Sequence, residues 1–95
     1  ESNAKFQQKQ LEAQLENALN QYQQNIKQYD YYVNQAIPNA EKITKAGQLG
    51  YKTGEISYVE YLFALQTSTN IQLKYLQSIQ QVNESVIIIN SIINQ

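Results

Sequence analysis

A chain of 95 residues with a net charge of −1 holds one domain or a segment of one, and lacks the basic footprint of a nucleic-acid binder. With no Cys, His, Met or Arg it offers no disulfide, no Ser-His-Asp chemistry, no usual transition-metal ligand set and no guanidinium for phosphate. These absences argue against an enzyme, a cofactor, or nucleic acid as a partner.

Sixteen Gln and ten Asn are scattered through an apolar periodic pattern, as on a long, wet, weakly charged helical surface. Eight Tyr against two Phe and no Trp favour half-buried or partner-facing positions, because the ring has an apolar body and a polar tip. No signal peptide or membrane-spanning run is evident, and the most apolar window, Val86 to Ile89, stops at Asn90 and Ser91. The chain starts mid-pattern without an initiator Met, so 1–95 reads as a single helical-hairpin segment of a larger protein.

Over roughly 5–53 apolar residues fall at Leu11, Leu15, Ala18, Tyr22, Ile26, Tyr29, Val33, Ala36, Ala40, Ile43, Gly47 and Gly50. Steps of three and four predict a long helix with a coiled-coil seam and one stutter near Tyr22. Pro38 removes a backbone donor, and its ring presses on the carbonyl of Asn34. The seam keeps its phase across it, which favours a kink over a break. Towards the end Ala40, Ala46, Gly47 and Gly50 are small, which predicts close approach of the arms.

The helix then stops and a second starts within a few residues. Gly54 suits the left-handed residue that ends a helix, and Lys52 sits at the negative end of the dipole. Ser57 and Glu60 form a capping box, with Ile56 and Tyr61 at the staple positions. The spacing predicts a tight turn between antiparallel helices.

The second helix, 57–93, carries a stripe at Tyr58, Leu62, Leu65, Thr69, Leu73, Leu76, Ile79, Val82, Val86, Ile89 and Ile93. Tyr61, Phe63, Ile71, Tyr75, Ile87, Ile88 and Ile92 lie off it. A two-helix hairpin buries one stripe per helix, so the surplus predicts further neighbours. The fold class is therefore all-α: a long antiparallel αα-hairpin on the order of 60–70 Å, prone to self-association or to packing in a larger helical wall.

No other constellation carries chemistry. Glu12 and Glu16 share a helix face as surface acids do. Asn83-Glu84-Ser85 is a chance sequon on a helix. The tyrosines read as interhelical packing rather than ligand stacking. At the turn, Glu55 reads as solvated and Glu60 as a cap on local chemistry alone; a contact surface or aperture at the tip is the functional alternative.

The run Gly50-Tyr51-Lys52-Thr53-Gly54-Glu55-Ile56-Ser57-Tyr58-Val59-Glu60-Tyr61-Leu62, with Ala64 and Gln66, resembles the tip segment of the TolC family of outer-membrane efflux proteins. Leu73-Lys74-Tyr75-Leu76 and Asn83 look like that family's ascending helix, so the resemblance spans about 11–93. Pro38 and Gly54-Glu55-Ile56-Ser57-Tyr58 look most like members serving heavy-metal pumps of the resistance-nodulation-division class, some of which are fused to the pump.

The resemblance implies a trimer whose membrane barrel continues into a periplasmic α-helical tunnel. Hairpins like this one would form the lower wall and open by small rotations at the tip. Tyr51, Gly54, Glu55, Ile56 and Ser57 would then meet a periplasmic adaptor serving an inner-membrane pump, and Glu60 would line the entrance. Phe63 stands where some members have a second acid, which puts a double acid ring in doubt. Two alternatives stay open: a generic coiled-coil spacer or oligomerisation hairpin without a transport role, and an adaptor-type hairpin.

Overall fold

The computed structural model describes residues 2–95; the acid Glu1 lies outside the described residues. Helix α1 covers Ser2–Tyr31, passes through a π-helical segment at Tyr32–Ala36 and continues as α2 over Ile37–Thr53. The chain reverses at residues 54–57 into α3, Tyr58–Ile93. Both α1 and α2 lie against α3, giving an antiparallel hairpin with extents of 76 × 19 × 16 Å. That length is what about 50 residues of helix span at ~1.5 Å each.

Pro38 neither breaks nor restarts the first arm. The residues before it widen into a π turn, in which the Ile37 N–H donates to the carbonyl of Tyr32 five residues back. A wider turn relieves the contact between the proline ring and the carbonyl of Asn34 while the helix continues. The cost is one extra residue in the seam. One buried to half-buried column runs Leu15, Tyr22, Tyr29, Ala36, Ile43 and Gly50 at strict sevens, while the other runs Ala18, Asn25 and Tyr32 and then skips eight to Ala40 and Gly47. The irregularity expected near Tyr22 is thus at Tyr32–Ala36. Asn25 and Tyr32 occupy seam places where the apolar pattern suggested Ile26 and Val33, which lie beside the seam.

On α3 the seam is not the expected stripe. The side facing the first arm carries Tyr61, Ser68, Tyr75, Val82 and Ile89 in one column and Ala64, Ile71, Ser78, Ser85 and Ile92 in the other. Ser68, Ser78 and Ser85 are among the most buried side chains of the described residues, at 2, 1 and 4 % exposure. Of the expected stripe, Leu65, Ile79, Val82 and Ile89 are half-buried, whereas Tyr58, Leu62, Thr69, Leu73, Leu76, Val86 and Ile93 are exposed.

The reason is backbone proximity. A Cβ built on Gly47 would stand 3.1 Å from the Cβ of Ala64, and one on Gly50 3.2 Å from Cγ1 of Ile56, so the seam has no room for leucine there. Ala40 is 1 % exposed. Ala46, expected to share this role, is exposed. Serine fits the narrow gap because its hydroxyl finds a carbonyl. Ser68 donates to Ala40 O at 3.2 Å, Ser78 to Tyr75 O at 2.6 Å and Ser85 to Gln81 O at 2.9 Å. No buried side-chain polar atom among the described residues lacks a partner, so the polar seam carries no desolvation penalty of the unsatisfied kind.

Candidate docking tip and lateral faces

At the tip, the last turn of α2 ends with Gly54 at φ +80°, left-handed as its position demands. The Glu55 N–H donates to Gly50 O at 2.8 Å and the Gly54 N–H to Tyr51 O at 3.2 Å, the bond pair of a Schellman motif. Ile56 is half-buried because its side chain closes over Gly50. Of the five residues expected at the tip, Tyr51, Gly54, Glu55 and Ser57 are exposed, while Ile56 faces inward and holds the turn.

Ser57 and Glu60 make the reciprocal capping box. Ser57 Oγ accepts from the Glu60 N–H at 3.1 Å, and the Glu60 carboxylate accepts from the Ser57 N–H at 3.3 Å. Glu60 is exposed, yet one carboxylate oxygen is drawn back onto the turn rather than extended from it. Above it the Tyr51 ring stacks on Tyr61 with centroids 5.2 Å apart and planes 3° from parallel, and meets Tyr58 at 5.6 Å. These rings tie the two arms together just above the turn, and Tyr51 and Tyr58 present exposed aromatic surface.

Halfway along, Tyr29 and Tyr75 stack across the seam at 6.0 Å. The Tyr75 phenol so close by holds the ionisation of Tyr29 above the ordinary tyrosine value, and the carboxylate of Asp30 adds to the effect. Closer to the tip, Thr44 Oγ1 donates to Ser68 Oγ at 2.8 Å, linking the arms again.

The two lateral faces of the hairpin differ in chemistry. On one, Ile26 and Tyr29 line a groove with Ile79, Val82 and Asn83, and Leu62, Thr69 and Leu76 continue the Asn83 column at seven-residue steps. Leu62 and Leu76 are 43 and 58 % exposed. On the other, Gln21, Asn25 and Gln28 line a groove with Gln81, Glu84, Ser85 and Ile88. Gln28 and Tyr32 line the next with Lys74, Gln77 and Gln81.

The amide face has a regularity that the apolar pattern hid. Gln7, Gln14, Gln21, Gln28 and Gln35 recur every seven residues, and all are exposed. The same seven-residue test on the serines would have placed Ser78 and Ser85 in one seam column with Ala64 and Ile71. Reading only apolar residues missed both. Of the sequon only Ser85 belongs to the seam, buried against Asn25, while Asn83 and Glu84 are exposed.

No helix among the described residues is long and apolar enough to cross a membrane. No protein-family model, curated protein or solved structure matches the chain.

Proposed function

We propose that the chain is a wall element of an export duct of the TolC type, standing in the periplasm with its tip at the duct's entrance. In this role it works beside further helical hairpins in a trimeric protein, meets a periplasmic adaptor at its tip and serves an inner-membrane pump. The observation that supports the reading best is the placement of the apolar residues of α3. The hairpin closes on a seam whose most buried members are small or polar, and an apolar stripe of Leu62, Leu73, Leu76, Val86 and Ile93 is left on its outside. A helix apolar on more sides than its own hairpin can cover is a helix meant for several neighbours. The amide face supplies the wetted surface that a duct also needs.

At the tip the reading assigns Tyr51, Gly54, Glu55 and Ser57 to the adaptor contact and Glu60 to the entrance, with Ile56 setting the turn's shape from inside. Glu60 has two tasks, because its carboxylate also closes the capping box. Glu60→Gln keeps the cap acceptor and removes the charge, whereas Glu60→Lys reverses the charge. Under the duct reading both variants alter export or pore conductance while the protein accumulates normally, with the larger change for Lys. Unchanged export in both would leave the second reading, a coiled-coil spacer that uses the same apolar stripe for oligomerisation. In a spacer these substitutions cost only about 0.5–1 kcal/mol of helix stability.

A further inference from the structure

We infer that the π turn at Tyr32–Ala36 is a one-residue insertion trapped in the first arm, and that it gives the hairpin a flex point between its tip half and the rest. Pro38 is the stop that holds the insertion in place and not its cause. The inference rests on the register of the two arms, and it does not depend on the duct reading.

On the tip side of the π turn the arms keep step. Tyr51 stacks on Tyr61, and seven residues on along each arm Thr44 bonds Ser68. Across the π turn they do not keep step. Gly47 lies against Ala64, and Asn25 bonds Ser85 in the same pair of seam columns. From Ala64 to Ser85 α3 spends 21 residues, three sevens, in unbroken α-helix. From Gly47 back to Asn25 the first arm spends 22. One residue is surplus. At about 100° per residue, an α-helix through both contacts would leave one of them turned that far from the seam. The π turn absorbs the surplus because an i→i+5 turn holds one residue more than an i→i+4 turn.

The insertion has a fence on either side. To move towards the tip, the wide turn would have to close an ordinary helical bond at Pro38, which has no N–H and whose ring meets the carbonyl of Asn34. To move the other way, it would have to turn Tyr29 away from Tyr75 and Asn25 away from Ser85. The surplus residue therefore stays between Tyr29 and Pro38.

The same place is the weakest part of the arm. With no N–H at Pro38 the backbone ladder is one bond short where it is also widest. Val33, Asn34 and Gln35, inside the wide turn, are all exposed, so no packing compensates on that side. The first arm can bend here while α3 runs straight past it.

Deletion variants of the chain test this. Deleting Asn34 together with Pro38→Ala should leave a regular helix that keeps both the Gly47–Ala64 and the Asn25–Ser85 contacts, and it should melt at or above the parent temperature. Deleting Gln24 or Lys45, equally exposed, puts part of the first arm out of phase with α3 and should lower the melting temperature by roughly 10 °C or more. A crystal structure of Pro38→Ala alone should still contain one π turn between Asn25 and Gly47. In hydrogen exchange, the parent amides of residues 33–37 should exchange at least about tenfold faster than those of the turns on either side, and the difference should vanish in the Asn34-deleted variant. An Asn34-deleted variant that unfolds or melts as low as the other two deletions, or an unbroken α-helix in Pro38→Ala, would overturn the insertion. Uniform exchange along the parent arm would overturn the flex point.

Discussion

Asn25 and Ser85 meet across the hairpin, the side-chain amide of Asn25 donating to the hydroxyl of Ser85. Ser85 donates in turn to Gln81 O, which also accepts from Asn25 at 3.2 Å, and Gln21 donates to the Asn25 side-chain oxygen at 3.2 Å. Two helices are thus joined by a closed set of polar bonds at a place where a coiled coil would ordinarily put leucine.

Because both partners are buried, removing one takes a hydrogen bond from the Asn25 amide or the Ser85 hydroxyl and leaves it only its bond to Gln81 O. Asn25→Ala should destabilise the hairpin by about 1–3 kcal/mol, and Ser85→Ala by a smaller amount within that range. The double variant should cost less than the sum, with a coupling on the order of 1 kcal/mol. Chemical denaturation of the four proteins of the cycle measures this directly, and strict additivity would contradict the contact.

The tip glycines should respond to substitution for different reasons. Gly54→Ala meets no atom within 4 Å but forces a side chain into φ +80°, which costs about 1 kcal/mol. Gly47→Leu faces no backbone strain, yet its side chain would have to enter the space held by Ala64 and Tyr61. Overpacking there should cost about 1–3 kcal/mol. Gly54→Asn, which tolerates the left-handed region, should recover most of the first loss, whereas Gly47→Ser should recover only part of the second. Thermal unfolding of the four variants distinguishes strain from crowding.

The Tyr29–Tyr75 pair makes stability depend on pH at the alkaline end. Tyr29 holds its proton in the folded hairpin to a higher pH than in the unfolded chain. Above the ordinary tyrosine value, about 10, the folded state therefore binds more protons than the unfolded state. The sign follows: the contribution is complete below that value and is lost as pH rises through the folded value. Tyr75→Phe removes the largest cause and should flatten this alkaline decline, as seen by denaturant unfolding at a series of pH values.

Much of the fold can be read from local chemistry. The helical arms, the left-handed Gly54, the Ser57–Glu60 box and the small residues Ala40, Gly47 and Gly50 follow from backbone preferences and side-chain reach within a few residues. Pro38 is partly legible: its conflict with Asn34 is local, but the π turn that resolves it depends on keeping both halves of the arm against α3.

The choice of seam on α3 was decided in three dimensions. Periodicity ranks stripes by how apolar they are, and by that measure Leu62, Leu65, Leu73 and Leu76 outrank Ser68, Ser78 and Ser85. The distance between backbones reverses the ranking near the tip, where a first arm lined by Ala40, Gly47 and Gly50 leaves no room for leucine and the Ser68 hydroxyl reaches Ala40 O. Farther along, Ser78 and Ser85 fit because their hydroxyls bond carbonyls of their own helix. The sequence by itself therefore determined that two long helices form and where the chain turns. Only the tertiary structure decided which face of α3 closes the hairpin, and so which apolar face is left outside it. That separation arises because helix formation and capping are local, whereas a seam is a property of two surfaces at a given distance.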